Sequence, residues 1–322
     1  MSRSRAPRHP ARPAANASAL ILAALVLSGC SEGKTGSDAD GEPPITKTAV
    51  ALDTAGLKFP LDGYQATPEQ RSTLDRAQIV LTDQCMRRYG FRYSAQPADT
   101  SRAEPENTRR YGVSSPERAA LQGYAPPVIT HAKAPTPGEL SPNERLVLFG
   151  VDRQDPAKLP RSQEQAENSH AGSQAIGGRK VPVGGCLHEA NLKLFRPTDD
   201  TVDFQLAQNL SFEAYGRSKQ DSRVIDAIRA WSTCMAERGY HSDEPVSPVK
   251  DLGLGENDLA GPKAIAAAKQ DVACKKKVNL VGVWSAVETA YQQRLIDKNA
   301  ENLAKAKDQL SDRMRVADSL IK

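Results

Sequence analysis

The strongest constraint on how this chain folds sits ahead of the fold itself. Leu27-Ser28-Gly29-Cys30 closes an apolar run from Ala17 to Leu27, behind a start that carries Arg3, Arg5, Arg8 and Arg12. The run is too short to cross a bilayer as a stable helix and reads as the hydrophobic stretch of a secretory signal. The small Ser28 and Gly29 admit a peptidase at the bond before Cys30, whose thiol can carry a diacylglyceryl group. This predicts a bacterial lipoprotein signal peptide over residues 1–29, Cys30 as the lipidated first residue of the mature chain, and a location on the extracytoplasmic face of the cell membrane. An ordinary secretory signal is the competing reading and differs only in the anchor. The basic residues alternate as Ser-Arg-Ser-Arg with no twin arginine, which favours export as an unfolded chain. The rest of the chain must then fold where disulfides persist.

Four cysteines follow Cys30, namely Cys85, Cys186, Cys234 and Cys274, an even number suited to two bridges. Three pairings are possible. Cys234 with Cys274 is favoured because the two fall on successive predicted helices, which leaves Cys85 with Cys186. Each bridge is worth about 2 to 4 kcal/mol. That contribution matters here, since aromatic residues make up only 5% of the chain and long polar stretches dilute its core. A cysteine-ligated metal would need close cysteine spacing, and none is present.

The basic side of the chain belongs largely to the signal. Without the four arginines of residues 1–29, the mature protein has 39 basic and 39 acidic residues. A neutral domain gives no support for a nucleic-acid partner. The local run Lys275-Lys276-Lys277 reads as a solvated helix face.

Residues 30–45 comprise the acylated cysteine and a stretch rich in Gly, Ser, Asp and Pro, which predicts a flexible tether. At about 5 to 6 Å times the square root of its length, it would hold the domain roughly 20 Å from the membrane. Residues 46–322 read as one extracytoplasmic domain. Polar excursions at 96–107, 132–139 and 154–178 are predicted to be surface loops, and no internal repeat occurs among them.

The ordered parts read as helices. Thr67-Pro68-Glu69-Gln70 combines an N-cap, a first-turn proline and a capping-box glutamine ahead of Leu74, Leu81 and Cys85, with a stop at Gly90. Ser115-Pro116-Glu117 and Ser141-Pro142-Asn143-Glu144 repeat the signal before stops at Gly123 and Gly150. Cys186 opens another helix through Leu187, Ala190 and Leu194, ending near Arg196-Pro197. Asp200, in the acid pair Asp199-Asp200, is expected to cap a helix through Leu206, Leu210 and Ala214, and Asp221 to cap one through Trp231 and Met235 that ends at Gly239. A further helix begins after Pro262. Beyond Gly282, near-helical spacing of Trp284, Val287, Tyr291, Leu295, Leu303, Leu310, Ala317 and Ile321 predicts a long terminal helix, packing as an antiparallel hairpin on residues 200–219. The fold class expected is mainly α, a disulfide-stapled helical domain with a long C-terminal helix.

Two helix ends echo each other. Cys85-Met86 and Cys234-Met235 are each followed by a glycine five residues after the cysteine, Gly90 and Gly239, and then by an aromatic, Phe91 and Tyr240. The pattern suits a last turn pinned by a disulfide, a left-handed glycine and an aromatic folding back. With the Leu27 to Cys30 signal, the Lys180 to Cys186 segment, and Asp271-Val272-Ala273-Cys274-Lys275 ahead of Trp284, Val287, Glu288 and Tyr291, these motifs give the resemblance its residues. On them the chain resembles a family of uncharacterised actinobacterial secreted lipoproteins over most of the mature domain. The resemblance implies a secreted, anchored domain and carries no activity, cofactor or active site with it. The segment 154–178 lies outside it.

No residue set marks catalytic, cofactor or metal chemistry. His188-Glu189 starts like a zinc-protease helix, but the second ligand position holds Leu192. His131, His170 and His241 have no ligand spacing. No nucleophile elbow, phosphate-binding glycine loop or dinucleotide fingerprint occurs. Two readings follow. The first is a non-enzymatic binding or interaction module that meets the membrane through the lipid on Cys30 and takes an envelope protein or cell-wall ligand, with Trp231 and Trp284 as scaffold. The second is a cell-envelope hydrolase of glycan or peptide, whose paired carboxylates, drawn from residues such as Glu189 and Glu288, would share a cleft between the helical hairpin and the N-terminal half.

Overall fold

Serine or threonine followed by proline starts three helices by the same local chemistry. In α1 (Pro68–Arg87), Thr67 Oγ1 accepts from the Gln70 amide at 3.2 Å while Gln70 Oε1 accepts from the Thr67 amide at 2.9 Å. Ser115 caps α2 (Pro116–Gln122), and Ser141 with Glu144 closes a second capping box on α3 (Pro142–Phe149). The computed structural model describes residues 41–45, 48–95, 104–126, 139–150, 158–169 and 174–322. The signal peptide and Cys30 lie outside the described residues.

The remaining elements are α4 (Gln163–Asn168), the antiparallel strands β1 (Ala175–Ile176) and β2 (Arg179–Lys180), α5 (Gly185–Phe195), α6 (Leu206–Lys219), α7 (Ser222–Ala236), α8 (Pro262–Lys277), α9 (Leu280–Lys298) and α10 (Ala300–Ile321). The fold is mainly helical with a long C-terminal helix. Residues Glu42–Lys322 form one compact unit.

Its core has four patches. α6, α7 and α9 meet around Trp231 and Trp284, both fully buried, with Tyr111 stacked on Trp284 at 4.9 Å. α2 rests on α8 through small side chains such as Ala119, Ala264 and Ala268. α1, α5 and α10 enclose Leu74, Leu194 and Ala317. A fourth patch, beneath α3, surrounds Cys85, Met86 and Cys186. Cys85 bonds to Cys186 and Cys234 to Cys274, with Cα separations of 5.5 and 5.7 Å, so that one bridge ties α1 to α5 and the other α7 to α8.

Both Cys-Met helix ends terminate alike. Gly90 and Gly239 each take φ near 81°, and the following aromatic returns its amide to the methionine carbonyl, Phe91 to Met86 at 3.2 Å and Tyr240 to Met235 at 3.0 Å. This six-to-one bond closes the open carbonyls of a helix end, and the left-handed residue it requires strongly favours glycine.

Several expectations are corrected. Asp200 does not cap α6, which starts six residues later at Leu206. Gln309 of α10 draws the intervening backbone away from helix, with its Nε2 donating to the Asp200 carbonyl and its Oε1 accepting from the Val202 amide. The long terminal stretch is two helices parted at Asn299 (φ −122°), whose Nδ2 donates to the Leu295 carbonyl at 2.8 Å. It is α9 that lies antiparallel on α6, joined by Trp284 Nε1 to Ser218 Oγ at 2.9 Å, whereas α10 packs on α1. Of the residues expected to form a flexible tether, Glu42 and Pro43 are held against the domain. Glu42 accepts from the Ser222 amide at 2.6 Å and its hydroxyl at 2.8 Å, a carboxylate at the positive end of α7. The excursion 154–178 contains α4 and the first hairpin strand. Of 96–107, residues 104–107 are built into the domain, where Asn107 is buried and Nδ2 donates to the Leu57 carbonyl at 3.1 Å. Residues 132–138 lie outside the described residues.

In the run expected to be solvated, Lys276 and Lys277 are exposed but Lys275 is not. It is completely buried, and its ammonium donates to the carbonyls of Val113 and Pro245, each at 2.8 Å, and to Asp271 Oδ2 at 3.2 Å. Asp271, one turn back, also accepts from Trp231 Nε1 at 2.9 Å and Tyr124 OH at 3.3 Å. Burial pushes the Asp271 carboxyl up and the Lys275 ammonium down, and each opposes the other's shift.

Candidate functional site

The segment Val181-Pro182-Val183-Gly184-Gly185-Cys186 enters α5 through a turn that only glycine fits closely. Gly185 has φ 71°, and a side chain there would run into the Leu148 carbonyl at the end of α3. His188, in the first turn of α5, bonds through Nε2 to the Pro160 carbonyl at 2.8 Å and so holds the chain ahead of α4. The Cys85–Cys186 bridge fixes the end of α1 beside the start of α5. These three ties frame a cleft of about 460 Å³ between α1, α4, the hairpin and α5.

Its floor and walls are mixed. Val181, Pro182, Val183, Leu192 and Ala166 supply apolar surface, while Arg88, Lys193, Arg179 and Lys180 bring four cations against the carboxylates Glu189 and Glu167. Glu189 pairs with Arg88 through Oε2 and with Lys193 through Oε1 at 2.6 Å. Burial raises the Glu189 carboxyl, but the hydrogen bonds from Arg88 and Lys193 outweigh it and hold the group below the usual carboxylate range. Tyr89 OH donates to the Lys180 carbonyl at 2.5 Å and ties the hairpin to α1. Arg179 and Lys180 are exposed and make no ion pair among the described residues.

The two carboxylates singled out from the sequence are not brought together. Glu288 is fully buried on α9, in a separate core patch, with Arg110 Nε at 2.8 Å, Tyr111 OH at 2.7 Å and Gln292 Nε2 at 2.9 Å on its oxygens. Arg110 in turn donates to Ser211 Oγ at 2.9 Å and lies over the Phe59 ring. Every strong donor and acceptor of this group is engaged inside the protein, as they are around Asp271 and Lys275. Trp231 serves the Asp271 network through its indole N–H, whereas the Trp284 indole donates to Ser218 and ties α9 to α6. No cluster of metal-ligating side chains forms among the described residues, and no described helix is long and apolar enough to cross a membrane.

Sequence reasoning passed over the cleft's cations. Arg88, Arg179, Lys180 and Lys193 come from three separated segments, and no spacing rule connects the end of one helix, a two-residue strand and the last turn of another helix. The one available signal was Glu189 at helical spacing from Lys193. No family model, curated protein or solved structure matches this chain.

Proposed function

We propose that this is a membrane-anchored extracytoplasmic lipoprotein, held by a lipid on Cys30, that works as a non-enzymatic binding module and takes an envelope protein or cell-wall ligand in the α1–α5 cleft. The observation that carries the reading is the contrast in how charges are used. In the core Glu288 holds Arg110 and Asp271 holds Lys275, while Arg179 and Lys180 stand exposed at a cleft with apolar walls. Such a lining suits a ligand with an acidic group next to an apolar one. Glu189, held ionised between two cations, suits the role of orienting Arg88 and Lys193 better than that of a proton donor, which needs a raised pKa. The resemblance to actinobacterial secreted lipoproteins agrees with the anchored location.

The test is chemical cross-linking on living cells followed by affinity capture of the tagged protein, comparing the wild type with Arg179→Glu combined with Lys180→Glu. The expected result is a stoichiometric adduct that the charge reversal abolishes while surface levels stay equal. An adduct of unchanged yield in the variant would contradict the cleft as binding site. For the anchor, Cys30→Ala should move the protein from the detergent phase to the aqueous phase, and unchanged partitioning would remove the lipid from the proposal.

A further inference from the structure

Arg313, on the α10 face turned to α5 and the Thr198–Gln205 segment, is a buried cation with nothing to neutralise it. It is 5% exposed, and its guanidinium lies 4.9 Å from the Phe195 ring centre and 5.2 Å from that of Phe204. The two rings meet edge to face at 5.3 Å and form a corner against which the guanidinium rests. Its Nε is buried without a hydrogen-bond partner, and no ion pair reaches the side chain among the described residues. The other buried cation, Lys275, holds a carboxylate, as does the partly buried Arg110. Burial lowers the Arg313 pKa, which is the penalty a bound anion would relieve.

Arg313 lines a cavity of about 490 Å³ together with Arg196, Arg315, Thr198 and Thr201. The carboxylate in the lining, Asp312, is paired with Arg315. Three arginines against one aspartate leave the cavity a net charge of +2. Arg196 is exposed and takes φ 43° at the end of α5, a left-handed position where glycine is usual and an arginine is strained. The Thr198 and Thr201 hydroxyls hydrogen-bond to each other at 3.4 Å and accept from the Asp200 and Thr198 amides, which leaves one hydroxyl proton of the pair for a ligand, whereas the Ser319 hydroxyl is taken by the Val316 carbonyl.

We propose that this cavity is a phosphoryl-binding site in which Arg313 and Arg196 hold the oxygens of a phosphate group and a hydroxyl of the Thr198–Thr201 pair completes the donor set. The surplus of two positive charges matches a phosphate monoester, which carries about −1.5 to −2 at neutral pH. Guanidinium forks fit two of its oxygens at once, and packing against Phe195 and Phe204 reduces the rotamer freedom that binding would otherwise cost. The site is independent of the α1–α5 cleft and stands or falls without it.

The full-length lipoprotein in detergent, titrated calorimetrically with inorganic phosphate, tests the assignment. The wild type should bind one phosphate, and Arg313→Gln and Arg196→Gln should each weaken binding by about tenfold or more, the loss of a charge-assisted bond. Arg196 is exposed, so its variant keeps the test valid if Arg313→Gln folds poorly. Acetate should not compete. Competition by phosphatidylglycerol vesicles would assign the phosphoryl group to a lipid headgroup, and competition by glycerol 3-phosphate alone would assign it to a soluble or polymer source. Absence of phosphate binding, or wild-type affinity in both arginine variants, would overturn the proposal.

Discussion

Replacing Lys275 by methionine isolates the most tightly held charge in the domain. The ammonium makes three hydrogen bonds in a fully buried setting, to Val113, Pro245 and Asp271. Methionine fills a similar volume but strands two carbonyls and leaves Asp271 with only the neutral donors Trp231 and Tyr124. Removing one member of a buried pair costs about 3 to 5 kcal/mol. Against a total stability of about 5 to 15 kcal/mol, that is a large fraction. The sign with pH follows from the carboxyl. Asp271 is already raised by burial, and loss of the ammonium raises it further. The folded variant then keeps a proton that the unfolded chain releases above about pH 4, so its stability falls as pH rises between those two values. The assay is urea unfolding with the bridges intact, followed by tryptophan fluorescence, since Trp231 touches Asp271. Lys275→Met should lose about 3 to 5 kcal/mol at pH 8 and less at pH 5, and the double variant with Asp271→Asn should lose less than the two single changes together. A loss under about 1 kcal/mol, or one that does not change with pH, would refute the buried-pair reasoning.

Other outcomes are equally specific. Glu288→Gln should cost about 3 to 5 kcal/mol in thermal or urea unfolding, because it leaves the Arg110 charge without its carboxylate, and it should leave ligand capture at the cleft unchanged. Replacing both cysteines of a pair by serine should cost about 5 kcal/mol for Cys85 with Cys186 and about 4 kcal/mol for Cys234 with Cys274 on loop entropy, from sequence separations of 101 and 40. Alkylation of the unreduced protein should label none of the four. Glu189 contributes stability that is fully present above the ordinary glutamate pKa and is lost as pH falls through its lowered folded value, so wild type and Glu189→Gln should differ in melting temperature at pH 7 and converge towards pH 3.

The helix starts were legible because their chemistry is local. Thr67, Ser115, Ser141 and Asp221 each cap the helix that follows within three residues of chain. Asp200 looked equivalent and failed because a distant residue, Gln309, takes the backbone of its segment. The break at Asn299 carries no proline or glycine; it arises where α9 turns its face to α6 and α10 turns to α1, a tertiary choice. Lys275 hid in a run of lysines because its buried partner, Asp271, is matched by carbonyls from residues 113 and 245, which are remote in sequence. Both candidate sites were illegible for the same reason. Arg179 and Arg88 come to line one cleft only when the hairpin folds onto α1, and Arg313 is covered by Phe195 and Phe204, which are more than a hundred residues away in the chain.

The cleft is tested most directly in living cells by placing a photoreactive residue at position 163, an exposed glutamine of α4 in the cleft lining, which leaves Arg179 and Lys180 in place, with the exposed position 212 on α6 as the control. Binding in the α1–α5 cleft predicts a discrete, saturable adduct from position 163 and none from position 212. Equal adducts from both positions, or none from position 163, would contradict it.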